Sequence, residues 1–261
     1  MFRENKVKLN LSEVPSRIKL ARVGSYVELQ CGASGVPQPR IAWYKNEHRL
    51  WQATNEDAAN DIDRFKNVNL TSLQYAVTMS KLRLGPLTSD DEGIYHCLAE
   101  NGCARPVSST TRLIIREKEY VPDNIYTNSI DKKPVVVARH AISNEYPKSP
   151  FGEKSPEIYM WTESRLEVSG AAAQLTCRAK GNPKPFVYWT DSDGQLLEKS
   201  GGYTVLKSGD LLIKNTNWES MGSYVCTAEN PFGVDRKEAF FYPTKPDDGE
   251  DLESGEDAAM I

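Results

Sequence analysis

The segment Gly209–Gly233, GDLLIKNTNWESMGSYVCTAENPFG, decides the fold. Its first part places Leu211 and Ile213 at alternate positions, which is the spacing of a half-buried β-strand. The part Gly222–Cys226 has the order Gly-x-Tyr-x-Cys and alternates in the same way. The closing residues ENPFG are typical of a turn. The segment therefore predicts a strand, a corner, a second strand and a hairpin, and it raises the question of a partner for Cys226.

The same pattern occurs twice in the chain. Each copy has a Cys, a Trp twelve residues later and then a Gly-x-Tyr-x-Cys motif, namely Cys31, Trp43 and Cys97 in the first copy and Cys177, Trp189 and Cys226 in the second. An internal repeat of this length predicts two copies of one domain within the 261 residues.

The repeated Cys…Trp…Tyr-x-Cys frame resembles the immunoglobulin superfamily. The resemblance implies an all-β chain of two immunoglobulin-like sandwiches of the I-set type, joined by a long linker. It implies that a disulfide joins strands B and F of each sandwich, that the Trp of strand C packs on it, and that Tyr95 and Tyr224 donate hydrogen bonds at the E–F corner. The implied disulfides are Cys31–Cys97 and Cys177–Cys226. The predicted inward residues of strands E and F are Leu82, Leu84, Leu87, Tyr95, Cys97, Ala99, Leu211, Ile213, Tyr224, Cys226 and Ala228.

The cysteines and two sequons point to a secreted chain. Zinc sites need short Cys-x-x-Cys or Cys/His spacings, which do not occur, so we expect disulfides, no metal and no cofactor. The sequons at Asn10 and Asn69 predict N-glycosylation. The fifth cysteine, Cys103, follows Asn101-Gly102, which is a two-residue hairpin signal. We expect Cys103 at an exposed tip, as an intermolecular bridge or as a free thiol.

Composition excludes several classes of partner. The net charge is −4, and the acidic run Asp247–Asp257 alone contributes seven negative charges, so the rest of the chain is close to neutral. There is no basic stripe for nucleic acid and no apolar run long enough for a membrane span. The polar start MFRENKVKLN is not a signal peptide, and we interpret it as an added start or an incomplete N-terminus.

The domain boundaries follow from the repeat and from composition. We predict an N-terminal extension at 1–14, domain 1 at 15–117, a linker at 118–154, domain 2 at 155–244 and an acidic disordered tail at 245–261. The interval Glu117–Pro156 contains five prolines and is long for a connection, which is typical of a linker or a binding segment.

A more specific resemblance covers residues 155–244. This region is similar to the secreted two-immunoglobulin-domain proteins of the nematode ZIG and arthropod late-type imaginal morphogenesis protein group. The matching residues are Gly209-Asp210-Leu211, Trp218, Met221-Gly222, Tyr224, Cys226 and Tyr242-Pro243. Ser220 stands where the group has an acidic residue, which predicts a weaker corner contact than that of Asp91 in domain 1. The resemblance implies a non-enzymatic protein that sequesters insulin-like peptides or maintains axon positions.

The outward positions of strands C and F carry apolar and aromatic residues. Such residues are good strand formers and can be covered by a charged strand G, but a contiguous apolar face usually marks an interface. The candidate ligand-binding residues are Phe186, Tyr188 and Val225 in domain 2 and Tyr44, Ile94 and Leu98 in domain 1.

Three functions remain open from the sequence. The first is an extracellular protein that captures an insulin-like peptide or another small secreted ligand. The alternative is a neuronal adhesion or axon-maintenance factor that acts by self-association or receptor contact. A third is a fragment of an immunoglobulin-type receptor. An enzyme is not expected, because the histidines His48, His96 and His140 lie in no nucleophile or metal motif.

Overall fold

The computed structural model describes residues 8–50, 75–116, 152–197 and 202–245. Domain 1 contributes the strands β1 Lys8–Glu13, β2 Ile18–Arg22, β3 Val27–Val36, β4 Arg40–Lys45, β5 His48–Arg49, β6 Tyr75–Leu84, β7 Gly93–Glu100 and β8 Val107–Arg116. Domain 2 contributes β9 Lys154–Val168, β10 Ala173–Leu175, β11 Cys177–Asn182, β12 Phe186–Thr190, β13 Tyr203–Val205, β14 Leu211–Ile213, β15 Gly222–Asn230 and β16 Gly233–Thr244. The predicted all-β architecture of two immunoglobulin-like sandwiches is confirmed.

Each sandwich is held by a disulfide beside a buried Trp. Cys31 is bonded to Cys97 in domain 1, and Cys177 is bonded to Cys226 in domain 2. These are the pairs that the resemblance implied. The predicted inward residues lie in the two cores, although Leu84 is only partly buried. In the chain-entropy model, cross-links over separations of 66 and 49 residues each stabilise the fold by about 4 kcal/mol.

The two E–F corners are built alike. The hydroxyl of Tyr95 donates to the carbonyl of Asp91 at 2.7 Å, and the hydroxyl of Tyr224 donates to the carbonyl of Ser220 at 2.8 Å. The weaker corner predicted at Ser220 is not what the structure shows. The backbone N–H of Ser220 donates to Asn217 Oδ1 at 3.0 Å and the N–H of Asn217 donates to Ser220 Oγ at 3.2 Å, so a serine closes the same reciprocal cap that a carboxylate would.

Two local predictions were wrong. Residues 8–13 of the predicted N-terminal extension at 1–14 form strand β1, because Leu9 and Leu11 alternate with exposed residues and face the domain 1 core. The Asn101-Gly102 pair does not make a two-residue hairpin, since β7 ends at Glu100 and β8 begins at Val107. The Asn101 side chain instead orders this longer loop, accepting from the Ala104 N–H at 2.9 Å and donating to the Val36 carbonyl at 3.0 Å.

One sheet runs through both domains. Strand β6 of domain 1 pairs antiparallel with β9 of domain 2, which gives an eight-stranded sheet of order β1-β3-β6-β9-β16-β15-β12 with β11 branching from β9. The long β9 makes this branch, because its first half pairs with β11 and its second half pairs in parallel with β16. The remaining strands form a five-stranded sheet, β2-β8-β7-β4-β5, in domain 1 and a three-stranded sheet, β10-β14-β13, in domain 2.

Side chains reinforce the shared sheet. Met79 belongs to β6 of domain 1, yet it is only 2% exposed and packs in the domain 2 core beside Trp161. The indole N–H of Trp43 donates to Ser80 Oγ at 3.1 Å, and Ser80 Oγ donates to the carbonyl of Tyr159 in β9 at 3.0 Å. The domains are therefore joined through apolar packing, side-chain hydrogen bonds and strand pairing.

A polar cluster completes the junction. The Gln38 side chain of domain 1 donates to Thr162 Oγ1 at 3.0 Å and to Thr176 Oγ1 at 3.1 Å. Its carbonyl accepts from Arg165 Nη1 at 2.6 Å, and Arg165 pairs with the buried Glu167 at 2.7 Å. Buried polar groups of this kind are costly unless they are satisfied, so they favour one relative orientation of the two domains.

Several predicted features lie outside the described residues. These are most of the linker at 118–154, nearly all of the tail at 245–261, Asn69 and His140. Within the described part, β9 begins at Lys154, one residue before the predicted start of domain 2, and β16 ends at Thr244.

Candidate functional site

The predicted ligand-binding residues lie on two different sheets. Tyr44, Ile94 and Leu98 belong to the five-stranded sheet of domain 1, whereas the three candidates of domain 2 belong to the eight-stranded sheet. The structure therefore does not bring the six residues into one face.

The domain 1 set has polar neighbours. Ile94 lies opposite Arg112 of β8, and Leu98 lies opposite Ser108. On the other side of β7, Tyr44 is opposite His96. The polar residues of β8, which is strand G of this domain, interrupt the apolar outer positions of β7. The face of the five-stranded sheet is therefore mixed rather than continuously apolar.

The domain 2 set is more exposed. Phe186 is 72% exposed and its ring lies 6.0 Å from that of Tyr188. Tyr188 donates to a carboxylate oxygen of Glu229 at 3.4 Å, and Val225 is half-buried opposite Thr190. Thr227, which alternation also places on this outer side, is only 2% exposed between its neighbours on β12 and β16. Aromatic surface is thus concentrated at the β12 edge.

A second apolar surface crosses the junction between the domains. Strand registers align one row of residues across six strands, namely Asn10, Ser34, Val77, Ser164, Phe240 and Ser223. The adjacent row is Tyr75, Leu166 and Tyr242. We call the central residues of these two rows the junction face, defined as Tyr75, Val77, Ser164, Leu166, Phe240 and Tyr242.

The junction face combines exposed aromatic rings with a small-residue centre. Phe240 is 46% exposed, Tyr242 is also exposed, and the ring of Trp218 meets Tyr242 edge-on at 5.8 Å. Between Phe240 and Val77 lies only Ser164, and Val77 is half-buried because it also packs against the domain 2 core. A sheet surface with aromatic anchors and a small polar centre is suited to a protein or peptide partner.

Sequence reasoning missed this surface. Alternation in EAFFYPT gives the available signal, because Ala239 and Phe241 are buried while Phe240 and Tyr242 face outward. The contribution of Val77 had no signal, since it depends on the pairing of β6 with β9.

The described residues contain no group of three or more His, Cys, Asp or Glu arranged to hold a metal ion. His48 and His96 lie on the five-stranded sheet and belong to no such group. Burial raises the pKa of Asp210, and the adjacent Arg178 acts in the opposite direction. This carboxylate accepts from Arg178, Gln174 and the Cys177 N–H, which is a structural role beside the disulfide.

The remaining cysteine is exposed as predicted. Cys103 makes no disulfide with another cysteine of the chain and lies in the β7–β8 loop, where its N–H donates to Asn101 Oδ1 at 3.2 Å. No helix in the part of the chain that the structure describes is long and apolar enough to cross a membrane.

Comparison with known proteins identifies the class of protein first. The family model described as Immunoglobulin domain matches residues 10–101 and 155–230. Zwei Ig domain protein zig-4 of Caenorhabditis elegans is 30% identical over 249 residues, which cover 92% of this chain and 85% of that protein. The chain therefore belongs to the family of two-immunoglobulin-domain proteins that includes the ZIG proteins.

A further relative comes from the arthropod part of the group that the sequence resembles. Neural/ectodermal development factor IMP-L2 of Drosophila melanogaster is 34% identical over 92 residues, which are 35% of this chain and 34% of that protein. A crystal structure of neural ectodermal development factor IMP-L2 has a TM-score of 0.63 and 20% identity, covering 91% of this chain and 95% of that chain. The resemblance predicted from sequence is confirmed, and the fold is shared across both domains.

Proposed function

We propose that this protein is a secreted, extracellular binding protein that captures an insulin-like peptide, or a similar small secreted ligand, on the junction face. The insulin class is what the resemblance to the imaginal morphogenesis protein group implies. The observation that carries the proposal is the row of residues that continues from domain 1 into domain 2 and that, with the adjacent row, carries the exposed rings of Phe240 and Tyr242.

The dimensions of the sheet support a small protein ligand. Five adjacent strands, from β3 to β15, span about 19 Å at the usual spacing of about 4.8 Å, and the ligand can extend further along the strands. A standard interface buries roughly 800 Å² on each partner, which corresponds to a patch about 28 Å wide. Covering the receptor-binding surface of a peptide hormone on such a patch blocks its signalling by competition.

The rigid junction supports tight capture. Strand pairing, Met79 and the Gln38 cluster hold the two halves of the junction face in one orientation. A preformed surface has less conformational entropy to lose when it binds than two freely moving domains have.

The test is a titration of the secreted, disulfide-bonded protein with purified insulin as the probe, followed by variants. We expect Phe240→Ser and Tyr242→Ser each to weaken binding by at least about tenfold, as for an interface anchor that contributes about 1.4 kcal/mol or more. Phe186→Ser is the matched control, because it makes the same change at an exposed ring away from the junction face.

The outcomes separate the candidate surfaces. Loss of binding in Phe186→Ser with no change in Phe240→Ser moves the site to the β12 edge that sequence analysis indicated. No binding of insulin, and no secreted peptide retained on the immobilised protein when the eluate is analysed by mass spectrometry, rejects the proposed function.

The second candidate is the neuronal adhesion or axon-maintenance factor, and the exposed Cys103 thiol favours it. An exposed odd cysteine can link two copies of the chain. Size-exclusion chromatography with and without reductant should then show a dimer that disappears on reduction and is absent in Cys103→Ser. A monomer in both conditions that binds no cell surface argues against this function.

A further inference from the structure

Strand β1 is the outer strand of the eight-stranded sheet on the domain 1 side. Within the described residues it pairs only with β3. Its side chains alternate, with Leu9 buried and Leu11 half-buried toward the core, and with Asn10 and Ser12 exposed. An edge strand of this kind presents unpaired backbone N–H and C=O groups that can template pairing with another chain.

The edges of the other large sheet are protected in familiar ways. Edge strand β2 carries the charged residues Lys19 and Arg22, and edge strand β5 is only two residues long. Charge and short length both discourage edge-to-edge pairing. β1 carries charges only at its two ends, Lys8 and Glu13. Its centre, Leu9–Leu11, is uncharged and lies within a six-residue strand.

We propose that Asn10 carries an N-linked glycan whose role is to guard the β1 edge and to bound the junction face. Asn10-Leu11-Ser12 is a complete sequon, and both Asn10 and Ser12 are exposed in the folded strand. The folded sheet therefore has room for a sugar at this position. A bulky solvated group beside the edge keeps a second strand from approaching its free hydrogen-bonding groups.

The reaction is a glycosyl transfer from a polyisoprenyl-diphosphate oligosaccharide. Nδ2 of Asn10 forms a bond to C1 of the first sugar while the bond from C1 to the diphosphate oxygen breaks. The amide nitrogen loses one proton, and polyisoprenyl diphosphate leaves. This reaction requires that the chain enters a secretory pathway. The glycan proposal rests on the proposed function only in this requirement for secretion.

The glycan also has a defined relation to the proposed ligand surface. Asn10, Ser34 and Val77 are successive members of one row, so Asn10 lies two strands, or about 10 Å, from the nearest edge of the junction face. A glycan there limits how far a ligand extends over domain 1 while Phe240 and Tyr242 remain open.

The experiment compares full-length protein secreted from eukaryotic cells with variants at the sequon. Peptide mapping by mass spectrometry after treatment with a peptide N-glycosidase, which converts an occupied asparagine to aspartate, reports whether Asn10 is occupied separately from Asn69. Asn10→Gln and Ser12→Ala both remove the sequon, and Ser12→Ala keeps the asparagine in case the first variant folds poorly. Asn10→Lys is the matched control, because a charge replaces the glycan as protection of the edge.

We expect Asn10 to be occupied in the parent protein. We expect the weight-average mass measured by light scattering to rise toward twice the monomer mass for Asn10→Gln and Ser12→Ala, and to stay at the monomer mass for Asn10→Lys. An unmodified Asn10 in the secreted protein overturns the proposal. So does an occupied site whose removal leaves the mass distribution unchanged. Neither readout involves the ligand, so failure here is distinguishable from failure of the insulin titration.

Discussion

Met79→Ala tests whether the two domains form one cooperative unit. Met79 lies on a strand of domain 1 but is buried in the core of domain 2, where it packs beside Trp161. Truncation of a buried methionine costs about 2–5 kcal/mol, from lost transfer free energy and from the cavity that remains. We expect a loss of this size in the free energy of unfolding, although the change is made in domain 1.

The assay is equilibrium unfolding in urea with the disulfides intact, followed by tryptophan fluorescence. Trp43 and Trp189 are two of the five tryptophans and are buried in domains 1 and 2 respectively. The part of the fluorescence change that is lost in Trp43→Phe or in Trp189→Phe therefore reports that domain. With a urea slope of about 2–3 kcal/mol per M, the midpoint should fall by about 1–2 M. Both probes should move together, because the shared sheet couples the domains.

The control is Met221→Ala, which is the same substitution at a residue that is 42% exposed. Exposed substitutions usually change stability by less than about 0.5 kcal/mol, so its midpoint should stay close to that of the parent. A Met79→Ala midpoint equal to that of the control refutes the coupled junction. A shift seen only by the Trp43 probe refutes it as well.

Two further predictions concern the cores. Burial, with a smaller contribution from the charge of Asp91, raises the pKa of Tyr95 from 10.0 to about 12, so the folded state keeps this proton after the unfolded state has lost it. The resulting stability, at most about 3 kcal/mol, is fully present below pH 10 and is lost as pH rises to about 12. Urea midpoints measured from pH 8 upward should fall less steeply in Tyr95→Phe, and equal slopes contradict the assignment. Asp210→Ala should cost about 3–5 kcal/mol because it leaves Arg178 without its buried partner at 2.7 Å. Asp193→Ala, at an exposed position, is the control for Asp210→Ala in thermal melts. Similar melting temperatures for the two variants would contradict a stabilising role of the Asp210–Arg178 pair.

The alternation of residues along a strand predicts part of the candidate site but not all of it. Alternation along a strand correctly placed Phe186 outward, and it also could have found Phe240 and Tyr242. It failed at Thr227, which alternates outward but is covered by neighbouring strands. Side-chain direction follows from the pleat of a single strand, whereas exposure depends on what lies on the strands beside it.

The sequence by itself determined the two sandwiches, their disulfides and their tyrosine corners through its resemblance to the immunoglobulin superfamily, because that resemblance rests on residue identities at fixed spacings along the chain. Only the tertiary structure decided that β6 and β9 pair, and hence that Val77 and Phe240 share a row and that Met79 enters the core of domain 2. The physical reason is that strand pairing is made by backbone N–H and C=O groups, which are the same for nearly every residue. Two edge strands that are distant in the sequence therefore contain no local pattern that shows they will pair. Their pairing is fixed only when side-chain packing on both faces of the sheet selects one register.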